Sequence, residues 1–226
     1  MKAMILAAGR GERMRPLTDT TPKPLLIAGG KALIVHTIEQ LVQAGFNDIV
    51  INHAHLGQQI ETELGDGREW GAHISYSAEY SAALETAGGI IKALPLLGKE
   101  TFLVVNGDIA TDFPFTSLAQ IPVKLAHLVM VNNPTHHPEG DFGLDTSQHI
   151  IANAPEKLTF SGIGLYHAEF FYGTQPGKQK LLPLLLNAIA KGQVSGQKYD
   201  GFWMDIGTPE RLQQLDTYYQ HQTPRL

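Results

Sequence analysis

The chain has 226 residues, of which 43% are hydrophobic and 17% charged, and this composition is typical of a globular protein rather than a disordered one. It contains no cysteine, which excludes disulfides, thiolate metal sites and a cysteine nucleophile. The net charge of -5 argues against a general nucleic-acid-binding protein. No apolar stretch is long enough to span a membrane, so we expect a cytoplasmic protein with neither nucleic acid nor membrane as partner.

Strands and helices alternate over the first 131 residues. Short apolar runs bounded by turn residues are typical of buried strands, and apolar residues at helical spacing indicate amphipathic helices. We predict strands at 2–6, 48–52, 73–77, 102–105 and 124–131, and helices at 33–45, 56–64 and 86–94. The alternation predicts an α/β fold with a mixed, mostly parallel central sheet.

The remainder of the chain has shorter elements. A polar loop is predicted at 132–142, apolar runs follow at 143–145, 149–151, 163–166 and 202–204, and helices are predicted at 181–191 and 209–219. Neither a linker nor a repeat separates the two parts. We therefore predict a single domain over 1–226.

A glycine-rich loop follows the first predicted strand. Ala8, Gly9 and Gly11 have no bulky side chain, so backbone N–H groups there can approach a phosphate chain closely. A dinucleotide-binding loop would place a third glycine where Met14 stands, and a P-loop would need Gly-Lys-Ser/Thr, which is absent. The loop therefore predicts a phosphate site of another type, with a solvated turn as the alternative.

Basic residues are concentrated near this loop. Residues 1–31 carry a net charge of +4, whereas the remainder carries -9. Arg13 and Lys23 would neutralise a triphosphate directly. Chance clustering on a solvated surface is the alternative interpretation of the charge alone.

Two aspartates follow predicted apolar strands. Asp108 comes after the strand at 102–105, and Asp205 after the strand at 202–204. A carboxylate in such a place is costly to bury without a partner. Two of them could share one Mg²⁺, which binds one or two carboxylates together with phosphate oxygens and water. For each alone, a strand-end turn is the alternative.

These motifs, in this order, resemble those of the sugar-1-phosphate nucleotidylyltransferases. The resemblance covers nearly the whole chain and is carried by segments 9–18, 22–25, 76–79, 84–89, 106–108, 156–157, 160–166 and 203–211. It implies a single Rossmann-like domain with a nucleotide-binding half at about 1–131 and a sugar-binding half at about 132–226. It also implies attack of a sugar 1-phosphate on the α-phosphorus of a nucleoside triphosphate, with Mg²⁺ as cofactor and pyrophosphate as leaving group.

The resemblance assigns roles to individual residues. The residues implied in catalysis are Arg13, Lys23, Asp108 and Asp205, of which the two aspartates hold the metal. The residues implied in nucleotide binding are Ala8, Gly9, Gly11, Glu12, Arg13, Lys23, Glu79, Ala83 and Gly88. The residues implied in sugar-phosphate binding are Asn106, Gly140, Glu156 and Lys157. Arg10 and Arg15 match no family position and are predicted to lie on the surface, and His136 is predicted to lie in a solvated loop rather than in a sugar pocket.

The resemblance also indicates which nucleotide and which acceptor are used. The short uridylyltransferases acting on N-acetylmuramic acid 1-phosphate in cell-wall recycling are the most similar members, which implies UTP and this acceptor. An ionised Glu79 only accepts hydrogen bonds, so it would suit the N3–H of uracil or the donors of guanine rather than the N3 acceptor of cytosine. The alternative is that backbone groups near Ala83 or Gly88 determine the choice of base. The alternatives are glucose or mannose 1-phosphate, phosphocholine with CTP, or a non-catalytic nucleotide-sugar sensor. We expect a monomer or a small homo-oligomer.

Overall fold

The computed structural model describes residues 1–79 and 84–222. The strands within these ranges are β1 (Ala3–Leu6), β2 (Ile27–Ala28), β3 (Lys31–Ala32), β4 (Asp48–His53), β5 (His73–Ala78), β6 (Thr101–Asn106), β7 (Ile109–Thr111), β8 (Ala126–Val131), β9 (Gly143–Leu144), β10 (Ile150–Ile151), β11 (Thr159–His167), β12 (Val194–Tyr199) and β13 (Trp203–Asp205). The α-helices are α1 (Leu17–Thr20), α2 (Leu33–Gln43), α3 (Gly57–Leu64), α4 (Glu85–Leu97), α5 (Leu181–Ala190) and α6 (Pro209–Gln222).

Seven strands form the central sheet, in the order β12-β8-β11-β6-β1-β4-β5. Strand β11 runs antiparallel to both of its neighbours, and the other pairs in this sheet are parallel. The prediction of an α/β fold with a mixed, mostly parallel sheet is confirmed. No helix in the two described ranges has both the length and the apolar character needed to cross a membrane.

Helices cover both faces of this sheet because its strands are apolar on both sides. Along β1, Ile5 packs in one core cluster with Ile34 of α2. Its neighbour Met4 points to the opposite face and packs in a second cluster with Ile90 of α4 and Leu185 of α5. Burying each such side chain contributes about 1.5–3 kcal/mol, so both helical layers are held firmly to the strands that carry the site.

Four strands, β2, β3, β7 and β12, fall in segments for which the sequence predicted no strand. Strand β12 falls in a segment that was not predicted as a strand, because Val-Ser-Gly-Gln-Lys-Tyr has no continuous apolar run. It pairs only with β8 in the main sheet, and such edge strands tolerate polar residues. Strand β7 is only three residues long and pairs with β13 outside the main sheet.

The site is positioned by the carboxyl ends of parallel strands. Strands β1, β4, β5 and β6 run in the same direction, so the segments that follow them meet at one edge of the sheet. The β7–β13 pair extends this edge, and it places Asp205 opposite Ile109. The N–H of Ile206 donates to the carbonyl oxygen of Asp108 at 2.6 Å. This edge is where open α/β sheets bind their ligands.

Candidate functional site

A cavity of about 480 Å³ lies at this edge of the sheet, over the ends of β1 and β6. The predicted nucleotide-binding residues that line it are Ala8, Gly9, Gly11, Glu12, Arg13, Lys23 and Glu79. Asn106 and Asp108 line it as well. The structure therefore brings together residues that are far apart in the chain.

The glycine-rich loop turns sharply at Gly11. Its backbone has φ +70°, and its carbonyl oxygen accepts hydrogen bonds from the N–H of Met14 and from the Thr18 hydroxyl, both at 2.9 Å. A Cβ at this position would lie 2.9 Å from Thr18 Cγ2, so only glycine fits without a shift. A Cβ on Gly9 would meet no protein atom within 4 Å, which leaves open space beside the backbone.

Arg10 contributes to this loop, although the sequence predicted only a surface position. Its guanidinium donates to the carbonyl oxygen of Thr18 at 2.7 Å, contacts His55 and pairs with Asp19 at 3.4 Å. These contacts tie the loop to the segment that follows β4. Arg15 is exposed, as predicted, and pairs with Asp19 at 2.8 Å.

Glu79 is the centre of a buried hydrogen-bond network. It is 4% exposed, and its two carboxylate oxygens accept from Asn52 Nδ2 and from the N–H of Leu84, both at 2.7 Å. Asn52 in turn accepts from the N–H of Ala7 at 2.9 Å. Both oxygens of the carboxylate are thus engaged by protein donors. Glu79 fixes the segments after β1 and before α4, in addition to lining the cavity.

We expect Glu79→Gln to lower Tm by about 4–8 °C. The amide can no longer accept at both positions, a hydrogen bond to a charged group contributes about 1.5–3 kcal/mol, and a protein of this size loses roughly 2–4 °C per kcal/mol. Thermal unfolding measures this, with Glu63→Gln on the exposed side of α3 as the matched control. An unchanged Tm together with an altered preference between UTP and CTP would contradict the positioning role.

The predicted contact of Gly88 is not seen in the cavity. Gly88 is absent from the described lining; its N–H donates to the carbonyl oxygen of Gln179 at 3.1 Å. A Cβ there would lie 2.1 Å from the carbonyl oxygen of Gly177, so glycine permits this close approach. Ala83 lies outside the described residues. The pairing of Gln179 with the backbone of Gly88 brings its neighbour Lys178 to the cavity, and no sequence motif had singled out Lys178.

A second cavity of about 360 Å³ adjoins the first. Arg13, Asn106 and Asp108 line both cavities. Asp205 and His136 line the second one, so the loop at 132–142 contributes to the site, contrary to the prediction for His136. Two adjoining cavities that share these three residues can hold two ligands side by side.

One of the four residues predicted to bind the sugar phosphate lines the cavities. Asn106 lines both cavities, whereas Gly140, Glu156 and Lys157 are absent from the described lining of either. The backbone around these three is held by Asn133, whose Nδ2 donates to the carbonyl oxygen of Lys157 at 3.0 Å. The roles of Gly140, Glu156 and Lys157 stay predictions.

The two aspartates fit a magnesium site that substrate completes. Lys23 donates to Oδ2 of Asp108 at 2.6 Å, and Arg211 donates to Oδ1 of Asp205 at 2.7 Å. The other oxygen of each carboxylate has no hydrogen-bond partner among the described residues. No group of three or more potential metal ligands occurs in these ranges. Two carboxylates suit Mg²⁺, which takes its remaining ligands from phosphate oxygens and water.

Basic side chains surround this carboxylate pair. The Lys23 side chain is 10% exposed. Arg13 is exposed and makes no ion pair with the described residues, so its guanidinium is free to bind an anion. His136 Nε2 lies 3.0 Å from Oδ1 of Asp205. Glu210 lies beside Arg211, and its carboxyl accepts hydrogen bonds from its own backbone N–H and from the Thr208 hydroxyl. These hydrogen bonds lower the pKa of Glu210, so the carboxyl stays ionised.

The chain is similar in sequence to known nucleotidyl transferases. A family model described as nucleotidyl transferase matches residues 2–157. The chain is 55% identical over 222 residues to the N-acetylmuramate alpha-1-phosphate uridylyltransferase of Neisseria meningitidis serogroup B, which covers 95% of this chain and 96% of that enzyme. It is 31% identical over 229 residues to a mannose-1-phosphate guanyltransferase of Aspergillus oryzae, of whose length it covers 62%.

Solved structures share the fold. A Bacillus anthracis structure named as a glucose-1-phosphate thymidylyltransferase, in complex with a sucrose, superposes with a TM-score of 0.84 over 97% of this chain and 95% of the other, at 24% identity. HddC from Yersinia pseudotuberculosis superposes with a TM-score of 0.79 over 96% of this chain and 99% of the other, at 18% identity. Motif order, fold and family model agree, and the chain belongs to the nucleotidyl transferase family.

Proposed function

We propose that the chain transfers a uridylyl group from UTP to N-acetylmuramic acid α-1-phosphate, with Mg²⁺ as cofactor and pyrophosphate as product. The observation that carries the proposal is the pair of adjoining cavities that share Arg13, Asn106 and Asp108. The identity to the Neisseria enzyme supports the choice of substrates. The reaction would return a cell-wall sugar to its nucleotide-activated form, and we retain the predicted cytoplasmic location as part of the proposal.

The attacking oxygen belongs to a phosphate that is already an anion, so no general base is needed. The chemical task is to bring two polyanions together and to stabilise charge on the pentacoordinate phosphorus. In the proposed arrangement the triphosphate lies against the loop at Gly9 and Gly11, and Arg13 binds the phosphates that leave as pyrophosphate. Lys23 donates to the reacting α-phosphate. Asp108 and Asp205 would hold Mg²⁺, which supplies charge neutralisation when bound.

The acceptor carries a lactyl carboxylate, and a basic side chain beside the second cavity could receive it. Arg211 is 14% exposed and contacts both Asp205 and His136, two residues that line this cavity. A guanidinium in a partly buried position pairs strongly with a carboxylate. In the proposed arrangement Arg211 would pair with the lactyl carboxylate, a role that the sequence did not indicate.

We expect Arg211→Gln to raise the KM for N-acetylmuramic acid 1-phosphate about tenfold or more, since a charge-assisted hydrogen bond is lost. The KM for N-acetylglucosamine 1-phosphate, which lacks the lactyl group, should change less than twofold. Steady-state kinetics on both acceptors measure the difference, and Arg68→Gln, at an 84% exposed side chain, is the matched control. An equal effect on both acceptors would assign Arg211 only to the support of Asp205.

The test of the function is pyrophosphate release with Mg²⁺, with four nucleoside triphosphates crossed against a panel of sugar 1-phosphates and phosphocholine. We expect the highest kcat/KM for UTP with N-acetylmuramic acid 1-phosphate. A higher value for GTP with mannose 1-phosphate would favour the reaction named for the Aspergillus relative. No release from any pair by the folded protein, together with binding of a nucleotide sugar, would indicate a sensor.

A further inference from the structure

One cavity residue, Glu85, adopts an unusual backbone conformation. It is the first residue of α4 and has φ +61°, a region that L-residues other than glycine rarely adopt. Within the described ranges, Leu56 and Gln148 are the other non-glycine residues with positive φ, and neither lines the nucleotide cavity. Unfavourable backbone conformations of this kind concentrate at ligand sites, where the surrounding structure enforces them.

The surroundings of Glu85 enforce its conformation from both sides. The N–H of Leu84 donates to the buried carboxylate of Glu79, and the carbonyl oxygen of Leu84 accepts from the N–H of Gln179 at 2.9 Å. Three residues later, Gly88 donates to the carbonyl oxygen of Gln179. The start of α4 is thus clamped on both flanks. These contacts, rather than the backbone preference of a glutamate, place Glu85 at the cavity.

The carboxylate of Glu85 is available to a ligand. Four carboxylates line the cavity; Glu79 and Asp108 accept hydrogen bonds from protein donors, and Glu12 lies between two arginines. Glu85 accepts no hydrogen bond from the described residues, and its nearest cation, Lys178, lies 3.8 Å away. Its side chain is 38% exposed, so it needs no permanent partner and can exchange water for ligand donors.

The chemistry of the cavity indicates which part of a nucleotide this carboxylate meets. The phosphates are repelled by it and are attracted to Arg13 and Lys23, which line the same cavity. A ribose offers two neighbouring hydroxyl donors, which match the two oxygens of a carboxylate, and acidic residues serve this purpose in nucleotide-binding folds. We propose that Glu85 is a nucleotide-binding residue whose carboxylate accepts hydrogen bonds from the two ribose hydroxyls of the nucleoside triphosphate. The inference rests on the proposed function only in taking UTP as the nucleotide.

Equilibrium binding tests the inference without requiring turnover. Calorimetry with Mg²⁺ compares UTP with 2′,3′-dideoxy-UTP, which lacks both hydroxyls, on the wild type and on Glu85→Ala, which keeps an L-residue at this position. We expect the wild type to bind UTP roughly ten times more tightly than the dideoxy analogue. Glu85→Ala should raise the Kd of UTP by about the same factor and change that of the analogue less than twofold.

A second pair of variants separates binding from stability. Glu85→Gly releases the backbone, so its Tm should exceed that of Glu85→Ala by about 2–4 °C while its nucleotide selectivity is equally lost. Gln148→Gly, at the other positive-φ position away from the cavity, should raise Tm without changing either Kd.

Three results would overturn the ribose assignment. The first is an equal loss of affinity for both nucleotides in Glu85→Ala. The second is a lower Tm of this variant with unchanged binding, as expected of an acidic residue that only stabilises the first turn of α4. The third is a wild type that binds neither nucleotide. Tight, selective binding of UTP by a protein that releases no pyrophosphate would instead overturn the proposed function and leave the role of Glu85 intact.

Discussion

Asp108→Asn is expected to lower kcat by roughly a thousandfold, because one of the two carboxylates that would hold Mg²⁺ at the reacting phosphates is lost. The asparagine oxygen still accepts the hydrogen bond that Lys23 donates at 2.6 Å, so the fold should persist. The Mg²⁺ concentration that gives half-maximal rate should rise. Pyrophosphate release measured over a Mg²⁺ titration gives both quantities.

The control for this variant is Asp66→Asn. Asp66 has a 62% exposed side chain and pairs with Arg68 on the surface, so its kcat and metal dependence should stay at wild-type values. A kcat above a tenth of the wild-type value in Asp108→Asn, with an unchanged Mg²⁺ dependence, would remove Asp108 from the metal site. Thermal unfolding of both variants confirms that the comparison concerns folded protein.

Lys23→Met is expected to lower kcat about a hundredfold, as removal of one preorganised donor to a developing charge usually does. The side chain is 10% exposed and begins a 3₁₀ turn, Lys23–Leu25, so its ammonium is held in place before substrate binds. The variant differs from Asp108→Asn in one respect. Its half-maximal Mg²⁺ concentration should not rise, since the cation that competes with the metal for Asp108 is gone.

Lys31→Met is the matched control for Lys23. Lys31 is 49% exposed and pairs with Glu39 at 2.7 Å, so its loss should leave kcat unchanged. If Lys23→Met required more Mg²⁺ while kcat at saturating metal was unaltered, Lys23 would act only in arranging Asp108. The α-phosphate assignment would then be wrong.

Local sequence was sufficient for the parts of the site that follow apolar strands. Strand β6 and the turn to Asp108 are contiguous in the chain, and Asp205 is the last residue of β13, so an apolar run that leads to a carboxylate was visible directly. The glycine-rich loop after β1 was visible for the same reason. In each case the backbone pattern and the chemical group lie within a few residues of each other.

The other parts depend on contacts between distant segments. Lys178 reaches the cavity because Gln179 pairs with the backbone at Leu84 and Gly88, and no local pattern encodes that pairing. The engagement of Glu79 by Asn52 is likewise a product of packing between β4 and the end of β5. His136 lies in a polar loop with the composition of a solvent-exposed loop. Its contact with Asp205 therefore becomes visible in the folded structure alone.

The place of β11 in the sheet has a consequence for biosynthesis. This strand joins β6 to β8, and among the described strands the other partner of β8 is β12. In a nascent chain that has emerged as far as residue 131, β8 therefore has neither of these partner strands, and β6 has one unpaired edge. Such edges promote aggregation until the missing strand arrives. Productive folding should thus wait for residues 159–199, and fragments ending near residue 131 should be insoluble when expressed alone but recover when coexpressed with the remainder.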